Sequence, residues 1–222
     1  IPLLPPNQEK LFFSDNGSTA TEIGIKMALQ YHHNQGAKRS VLLAFEDGFH
    51  GDTFGAMSVS GLSVYNGPFT DYFLEVVRIP VPTEENIEAL LYRLENEIDL
   101  DTVAGFIYEP LVQGAAAMKM HRAQDLERIL KIIKSHGVLA IADEVMTGFG
   151  KTGTHFASDH IEVKPDIICM SKALTAGLLP MAVTSCTREV YDAFYSDDIA
   201  KGLFHGHTYT ANALACAAAL AG

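Results

Sequence analysis

The sequence is poor in cysteine, in positive charge and in long apolar runs. Only three cysteines occur in 222 residues, Cys169, Cys186 and Cys216. They are far apart and form no C-x-x-C pair. That argues against a disulfide framework or a zinc knuckle, and it fits a reducing compartment such as the cytoplasm. Lys and Arg number 16 against 27 Asp and Glu, a formal net charge of −11. Such acidity argues against general affinity for nucleic acid or anionic membrane. An anionic ligand must therefore be held by local groups, against the overall field. No apolar run reaches the roughly 18 residues needed to span a bilayer. The opening "IPLLPPNQEK" lacks the basic-then-apolar layout of a signal peptide and reads as an extended arm or a cut end. Neither G-x-x-x-x-G-K-[ST] nor G-x-G-x-x-G stands at a strand–helix turn, so the common phosphate-loop and dinucleotide patterns are missing. No fixed-period repeat, low-complexity tract or linker divides the chain.

What is present is an alternation of short apolar runs with amphipathic segments. "LFFS" (Leu11–Ser14), "SVLLAF" (Ser40–Phe45), "EVVRIP", "VAGFIYEP", "VLAIADE" (Val138–Glu144), "DIICMS" and "AVTSC" read as strands. A helix is expected from about Thr19, with Thr19 and Glu22 spaced as a capping box. A second is expected near Glu84–Glu97. In Ala123–His136, Leu126, Ile129, Leu130 and Ile133 form an i, i+3, i+4, i+7 stripe. "ANALACAAALAG" reads as a small-residue helix. The alternation predicts an α/β domain, helices packed on a mostly parallel central sheet.

Three predicted strand ends carry unusual chemistry. "DNGS" follows "LFFS": Gly17 lets backbone approach a ligand, and Ser18 adds a hydroxyl as a helix begins, a combination suited to phosphate. Asp143 follows "VLAIA", and Lys172 follows "IICMS". In open α/β sheets, ligands bind beyond the carboxyl ends of the strands. A phosphate cradle, a carboxylate and a lysine at such ends suggest pyridoxal phosphate. The lysine amine condenses with the cofactor aldehyde, and the carboxylate keeps the pyridine nitrogen protonated. Each element alone has a plainer reading: a helix start, a cap or salt-bridge partner, a loop lysine. His205 and His207 form H-x-H, but no third ligand stands at metal spacing. Met118 and Met120 read as packing residues, with "AAAMKM" as a segment that could border the cleft. Glu144 reads as structural rather than as a second catalytic acid.

The blocks "FFSDNGSTATEIGIKMALQYH", "FHGDTFGAMSVSG", "YEPLVQGAAAM", "IADEVMTGFGKTG", "CMSKALTAG" and "HGHTYTANALACAAA" resemble the successive blocks of class III, fold type I, pyridoxal-phosphate-dependent aminotransferases. The resemblance covers nearly the whole chain. It implies a three-layer α/β/α large domain, with Lys172 as the Schiff-base lysine and Asp143 at the pyridine nitrogen. It implies that Gly17 and Ser18 hold the phosphate, that Phe49 stacks on the cofactor ring, and that His50 and Gly51 shape that wall. Glu109 and Gln113 are implied near the ring and the substrate side. Thr208 is implied to reach the phosphate of a neighbouring subunit's cofactor, in a homodimer with shared sites. "DNGSTATEIGIKMALQY" and "FHGDTFGAMSVSG" are more specifically similar to the branch that passes an amino group from S-adenosylmethionine to 8-amino-7-oxononanoate in biotin synthesis. Another ω-amino-acid aminotransferase of the class is the alternative. Phe49 stands where the family commonly has tyrosine, Lys151 where it has arginine, and Ala213 where it has proline. Family members extend beyond both ends, so residues 1–222 are expected to be an excised cofactor-binding domain. An incomplete, non-catalytic fragment is the rival reading.

Overall fold

The computed structural model describes residues 3–222. Ile1 and Pro2, the first residues of the expected arm, lie outside the described residues. The arm itself is shorter than expected, because β1 runs over Gln8–Ser14 rather than starting at Leu11. Gln8 explains the extension. Its buried side chain donates to the Pro165 carbonyl at 2.9 Å and accepts from Ser185 Oγ at 2.7 Å.

Helix α1 (Gly17–Asn34) follows, then β2 (Val41–Phe45), α2 (Phe54–Val59), β3 (Val76–Ile79), α3 (Ile87–Asn96) and β4 (Val103–Tyr108). A small hairpin, β5 (Val112–Gln113) and β6 (Lys119–Met120), precedes α4 (Ala123–Ser135). The chain ends with β7 (Leu139–Asp143), β8 (Ile167–Met170), β9 (Ala182–Thr187), α5 (Arg188–Asp192) and α6 (Ala213–Ala221). Seven strands form one sheet in the order β1-β9-β8-β7-β4-β2-β3. All neighbours are parallel except those of β9, which runs antiparallel to both β1 and β8.

Alternation along the central strands builds two cores. Leu43, Phe45, Phe106, Tyr108, Ala140 and Ile168 face α3 and α4, which contribute Leu90, Leu94 and the predicted stripe Leu126, Ile129, Leu130 and Ile133. Leu42, Ala44, Ile107, Ile141, Ile167 and Cys169 face the other way, toward Ala20, Ile23, Met27 and Ala28 of α1. Successive side chains on a strand point to opposite faces, so strands apolar throughout require cover on both sides. The result is the expected three-layer α/β/α sandwich.

The expected capping box is displaced. Asn16, not Thr19, is the N-cap, and its side chain accepts from the Thr19 amide at 3.0 Å. Thr19 returns the bond to the Asn16 amide. Asn is among the strongest N-cap residues, and it lets the helix begin three residues earlier. Glu22 is thereby released from capping, and it accepts instead from the amides of Gly55 and Ala56 at the start of α2.

Candidate functional site

Strands β7 and β8 are adjacent and parallel, with Asp143 opposite Cys169. Their carboxyl ends therefore leave the sheet side by side. Asp143 is the last residue of β7 and is buried. Its Oδ1 accepts from the Val145 amide at 3.0 Å. Two residues after β8, Lys172 opens a short 3₁₀ turn, Lys172–Thr175. Ser171 fixes the approach by donating to the Met181 carbonyl at 2.8 Å. Lys172 has φ +39°, a left-handed backbone that costs a non-glycine residue free energy. Its side chain is exposed at the cavity rather than packed.

The N-terminus of α1 meets these strand ends. Among the described residues, the amides of Gly17 and Ser18 find no protein acceptor, so they point free N–H groups outward. Gly17 is needed for approach: a Cβ there would lie 2.8 Å from Val145 Cγ1. Ser18 Oγ accepts from the Asp52 amide at 3.2 Å, which leaves its own proton to donate.

Gly17, Ser18, Phe49, His50, Glu109, Asp143 and Lys172 all line one cavity of about 860 Å³. Phe49 is 44 % exposed, a ring held at the cavity wall rather than in the core. Its amide donates to Glu109 Oε2 at 3.1 Å. The other Glu109 oxygen accepts from the Gly114 amide at 3.0 Å. Burial raises the Glu109 pKa, with the nearby Asp143 charge adding, while His50 and the two amides oppose the rise.

Two predicted site residues lie elsewhere. Gln113 is wholly buried, and its amide donates to the Glu46 carbonyl, so it stands behind the wall rather than in it. Thr208 is exposed and does not line this chain's own cavity. The packing reading of Met118 and Met120 is overturned: they are 61 % and 74 % exposed, and Met118 borders the cavity. They fall around the tight β5–β6 hairpin, where the chain turns outward and leaves them no core to enter. Glu144 is structural, accepting from the amides of Ala157 and Ser158 and from the hydroxyls of Thr147 and Ser158. The two H-x-H rings take different partners. His207 Nε2 lies 3.3 Å from Asp15 Oδ1, and His205 packs edge-on against Phe12.

Sequence reasoning missed Asp15 and Asn16 as cavity residues, and it missed the closest contact in the site. His50 Nδ1 donates to Asp143 Oδ2 at 2.7 Å. Asp15-Asn16 could have been found from cap preference. The His50 contact joins residues 93 positions apart and has no local signal.

A profile of the family described as Aminotransferase class-III matches residues 3–222. The chain is similar to adenosylmethionine-8-amino-7-oxononanoate aminotransferase of Synechococcus elongatus, with 47 % identity over 99 % of this chain and 54 % of that protein. It is 41 % identical to the protein of the same name from Staphylococcus aureus, over 99 % of this chain and 52 % of that one. Among solved structures, the Methanocaldococcus jannaschii protein of that name superposes with a TM-score of 0.93 at 39 % identity, covering 99 % of this chain and 51 % of that one. An amine transaminase from an uncultivated Pseudomonas species, described as pyridoxal-phosphate-bound, superposes with a TM-score of 0.89 at 33 % identity, covering 97 % and 52 %. The chain thus spans about half the length of the relatives it matches.

Proposed function

This chain belongs to the class-III aminotransferase family, and from that premise we propose that residues 1–222 are the cofactor-binding large domain of a pyridoxal-phosphate-dependent aminotransferase. The observation that carries the proposal is the meeting of Lys172, Asp143 and the α1 N-terminus in one cavity. The donor set suits the cofactor at each end. Two unpaired helix amides and the Ser18 hydroxyl suit a phosphate. A buried carboxylate suits a protonated pyridine nitrogen, and an exposed amine suits an aldehyde.

Gly17 and Ser18 would hold the phosphate, Phe49 would cover the ring face, and Asp143 would face the ring nitrogen. When bound, the cofactor supplies an electron sink for negative charge at the carbon bearing the transferred amine. Lys172 would act twice: its Nζ would hold the cofactor and, when free, would carry a proton between the substrate carbon and the cofactor side. The Glu109 carboxylate fixes the wall by gripping the Phe49 and Gly114 amides.

The substrate pair proposed is S-adenosylmethionine as amino donor and 8-amino-7-oxononanoate as acceptor. What supports it is the shared name of relatives from several bacteria at 37–47 % identity. Similarity to an ω-transaminase from Thermomicrobium roseum, 31 % identical with a TM-score of 0.93, keeps a broader amine specificity as the second reading. A homodimer with Thr208 serving the neighbouring site is supported by its exposure away from its own cavity. A cytoplasmic setting is supported by three free cysteines, and no helix is long and apolar enough to cross a membrane among the described residues.

The test is direct. The purified chain, given pyridoxal phosphate, should turn yellow and, after borohydride, carry the reduced adduct at Lys172 by mass spectrometry. An adduct elsewhere, or none, refutes the site. An adduct without amino exchange favours a cofactor-binding fragment; on the intact enzyme, no exchange with S-adenosylmethionine removes the substrate assignment.

A further inference from the structure

The turn that carries Lys172 is strained. Lys172 has φ +39°, Ala176 φ +51° and Gly177 φ +78°, so two residues with side chains adopt a left-handed backbone close together. Such conformations persist only where the surroundings over-determine them. The last pair of the β8–β9 ladder is Met170 with Val183. Beyond it the backbone bonds of the turn are short-range: the Leu174 amide donates to the Ser171 carbonyl, Ala176 to Ala173 and Leu178 to Thr175. They curl the chain without tying the turn to the limb that leaves it. Two hydroxyls make that tie. Ser171 Oγ reaches Met181 at the base of the loop. Thr175 Oγ1 reaches Leu179 nearer its tip, donating to the Leu179 carbonyl at 2.6 Å and accepting from the Leu179 amide at 3.4 Å. Thr175 is buried, although its neighbours Leu178 and Leu179 are exposed.

We infer that Thr175 is a positioning residue for Lys172: its hydroxyl, bonded at once to the carbonyl and the amide of Leu179, closes the turn and holds the strained Lys172 backbone so that Nζ stays at the cavity. Thr175 does not line the cavity, so it acts through the turn rather than on a bound molecule. Leu178, Leu179 and Pro180 do line it, so the same clamp sets the apolar rim beside the lysine. Leu174 packs against the core that includes Met181 and Ala215, and α6 packs on the turn. That apolar contact is non-directional. A hydroxyl with two fixed partners is directional, and it settles how the peptides of the turn are oriented. Lysine is long and flexible. A small backbone relaxation at its root therefore spreads Nζ over positions from which it cannot reach a bound aldehyde. The covalent hold on the cofactor weakens in proportion to the fraction of molecules so misdirected.

Amide hydrogen exchange on the cofactor-free chain tests the clamp. Thr175→Val keeps the shape of the side chain and removes the hydroxyl. The Leu178 and Leu179 amides should then exchange about five-fold faster, the equivalent of one hydrogen bond, while the β8 amides keep their wild-type rates. Thr175→Ser keeps the hydroxyl and should restore the slow exchange. Unchanged exchange in Thr175→Val overturns the clamp. Acceleration that spreads equally through β8 also overturns it, because Thr175 then merely supports the fold. Should Thr175→Val not fold, Thr175→Ala replaces it in each measurement.

The effect on Lys172 rests on the proposed function and has its own readout. Pyridoxal phosphate is titrated by visible absorbance, and borohydride then confirms the adduct at Lys172. Thr175→Val should need about five-fold more cofactor for half-saturation, and Thr175→Ser should match the wild type. In the Lys172→Ala background only the noncovalent hold remains. There, Thr175→Val should leave pyridoxal phosphate affinity unchanged by equilibrium dialysis. A titration unmoved by Thr175→Val overturns the positioning role, and so does an equal loss of affinity with and without Lys172. A wild-type chain that forms no adduct at Lys172 instead refutes the proposed function, while hydrogen exchange still decides the clamp.

Discussion

Gly51 packs against Ser18 so closely that a Cβ would sit 2.2 Å from Ser18 Oγ. The contact joins the wall that carries Phe49 and His50 to the N-terminus of α1. Gly51 also has φ +129°, a conformation that L side chains rarely adopt. Gly51→Ala should therefore destabilise the chain by about 2 kcal/mol or more, through strain and clash together. Urea unfolding of the two proteins measures it. Ser18→Ala should cost little stability and instead weaken pyridoxal phosphate binding by about 1 kcal/mol, the net worth of one hydrogen bond. Equal cofactor affinity in a titration would contradict the phosphate role of Ser18.

Lys172 carries a conflict between stability and chemistry. Its φ of +39° is tolerated most readily by glycine. Lys172→Gly should therefore stabilise the cofactor-free chain by about 1 kcal/mol while abolishing the borohydride-trapped adduct. Lys172→Ala should lose the adduct without that gain, because alanine keeps the strain. Thermal unfolding beside mass spectrometry separates the two effects. A stabilised Lys172→Ala, or an adduct that persists, would contradict the conflict.

Glu144 tests the reading of a buried carboxylate as structure. Four donors converge on it from Thr147, Ala157 and Ser158. Removing the acceptor strands those donors, so Glu144→Leu should cost about 3 kcal/mol or more. The pH dependence has a definite sign. Burial, the largest influence, raises the folded pKa above its ordinary 4.5, although the hydrogen bonds oppose it. The folded state thus holds this proton more tightly than the unfolded state. The associated stability is full below the unfolded value and is lost as pH rises through the folded one. Relative to Glu144→Gln, the wild type should lose stability over that rise. A difference curve of opposite slope, from denaturation at a series of pH values, would refute it.

The parts legible in the sequence were those with a local cause. Alternating apolar strands faced two helical layers, so the sandwich followed from runs such as "VLAIA" and from the stripe Leu126–Ile133. Lys172 and Asp143 were visible because each breaks an apolar run at its end. The start of α1 was misplaced because two overlapping cap signals, Asn16–Thr19 and Thr19–Glu22, compete within seven residues, and only packing against α2 decides that Glu22 belongs elsewhere. Met118 and Met120 misled because an apolar side chain next to a two-residue strand looks the same as a core residue. Ala213 shows the reverse. It is the first helical residue after the Asn212 cap of α6, a position that proline also favours, so the departure from the family pattern is locally harmless.

Lys134 and Asp166 form a partly buried pair far from the cavity, 2.7 Å apart, between α4 and the turn that leads into β8. The second Asp166 oxygen accepts from the Ala140 amide at 2.9 Å, so the carboxylate also pins β7. Burial raises the Asp166 pKa, and the Lys134 charge and hydrogen bond work against that rise. Lys134→Met removes the opposing influence and leaves a buried anion with one amide for company. At neutral pH the variant should be less stable by about 3 kcal/mol, the usual result of stripping one partner from a buried pair. The penalty must shrink as pH falls, because protonation of Asp166 removes the stranded charge. The double variant Lys134→Met with Asp166→Asn should recover much of the loss, since no charge is then left buried. Denaturation curves of the single and double variants at neutral and acidic pH measure both effects, and a penalty that stays constant with pH would show that the lysine stabilises this corner by packing alone.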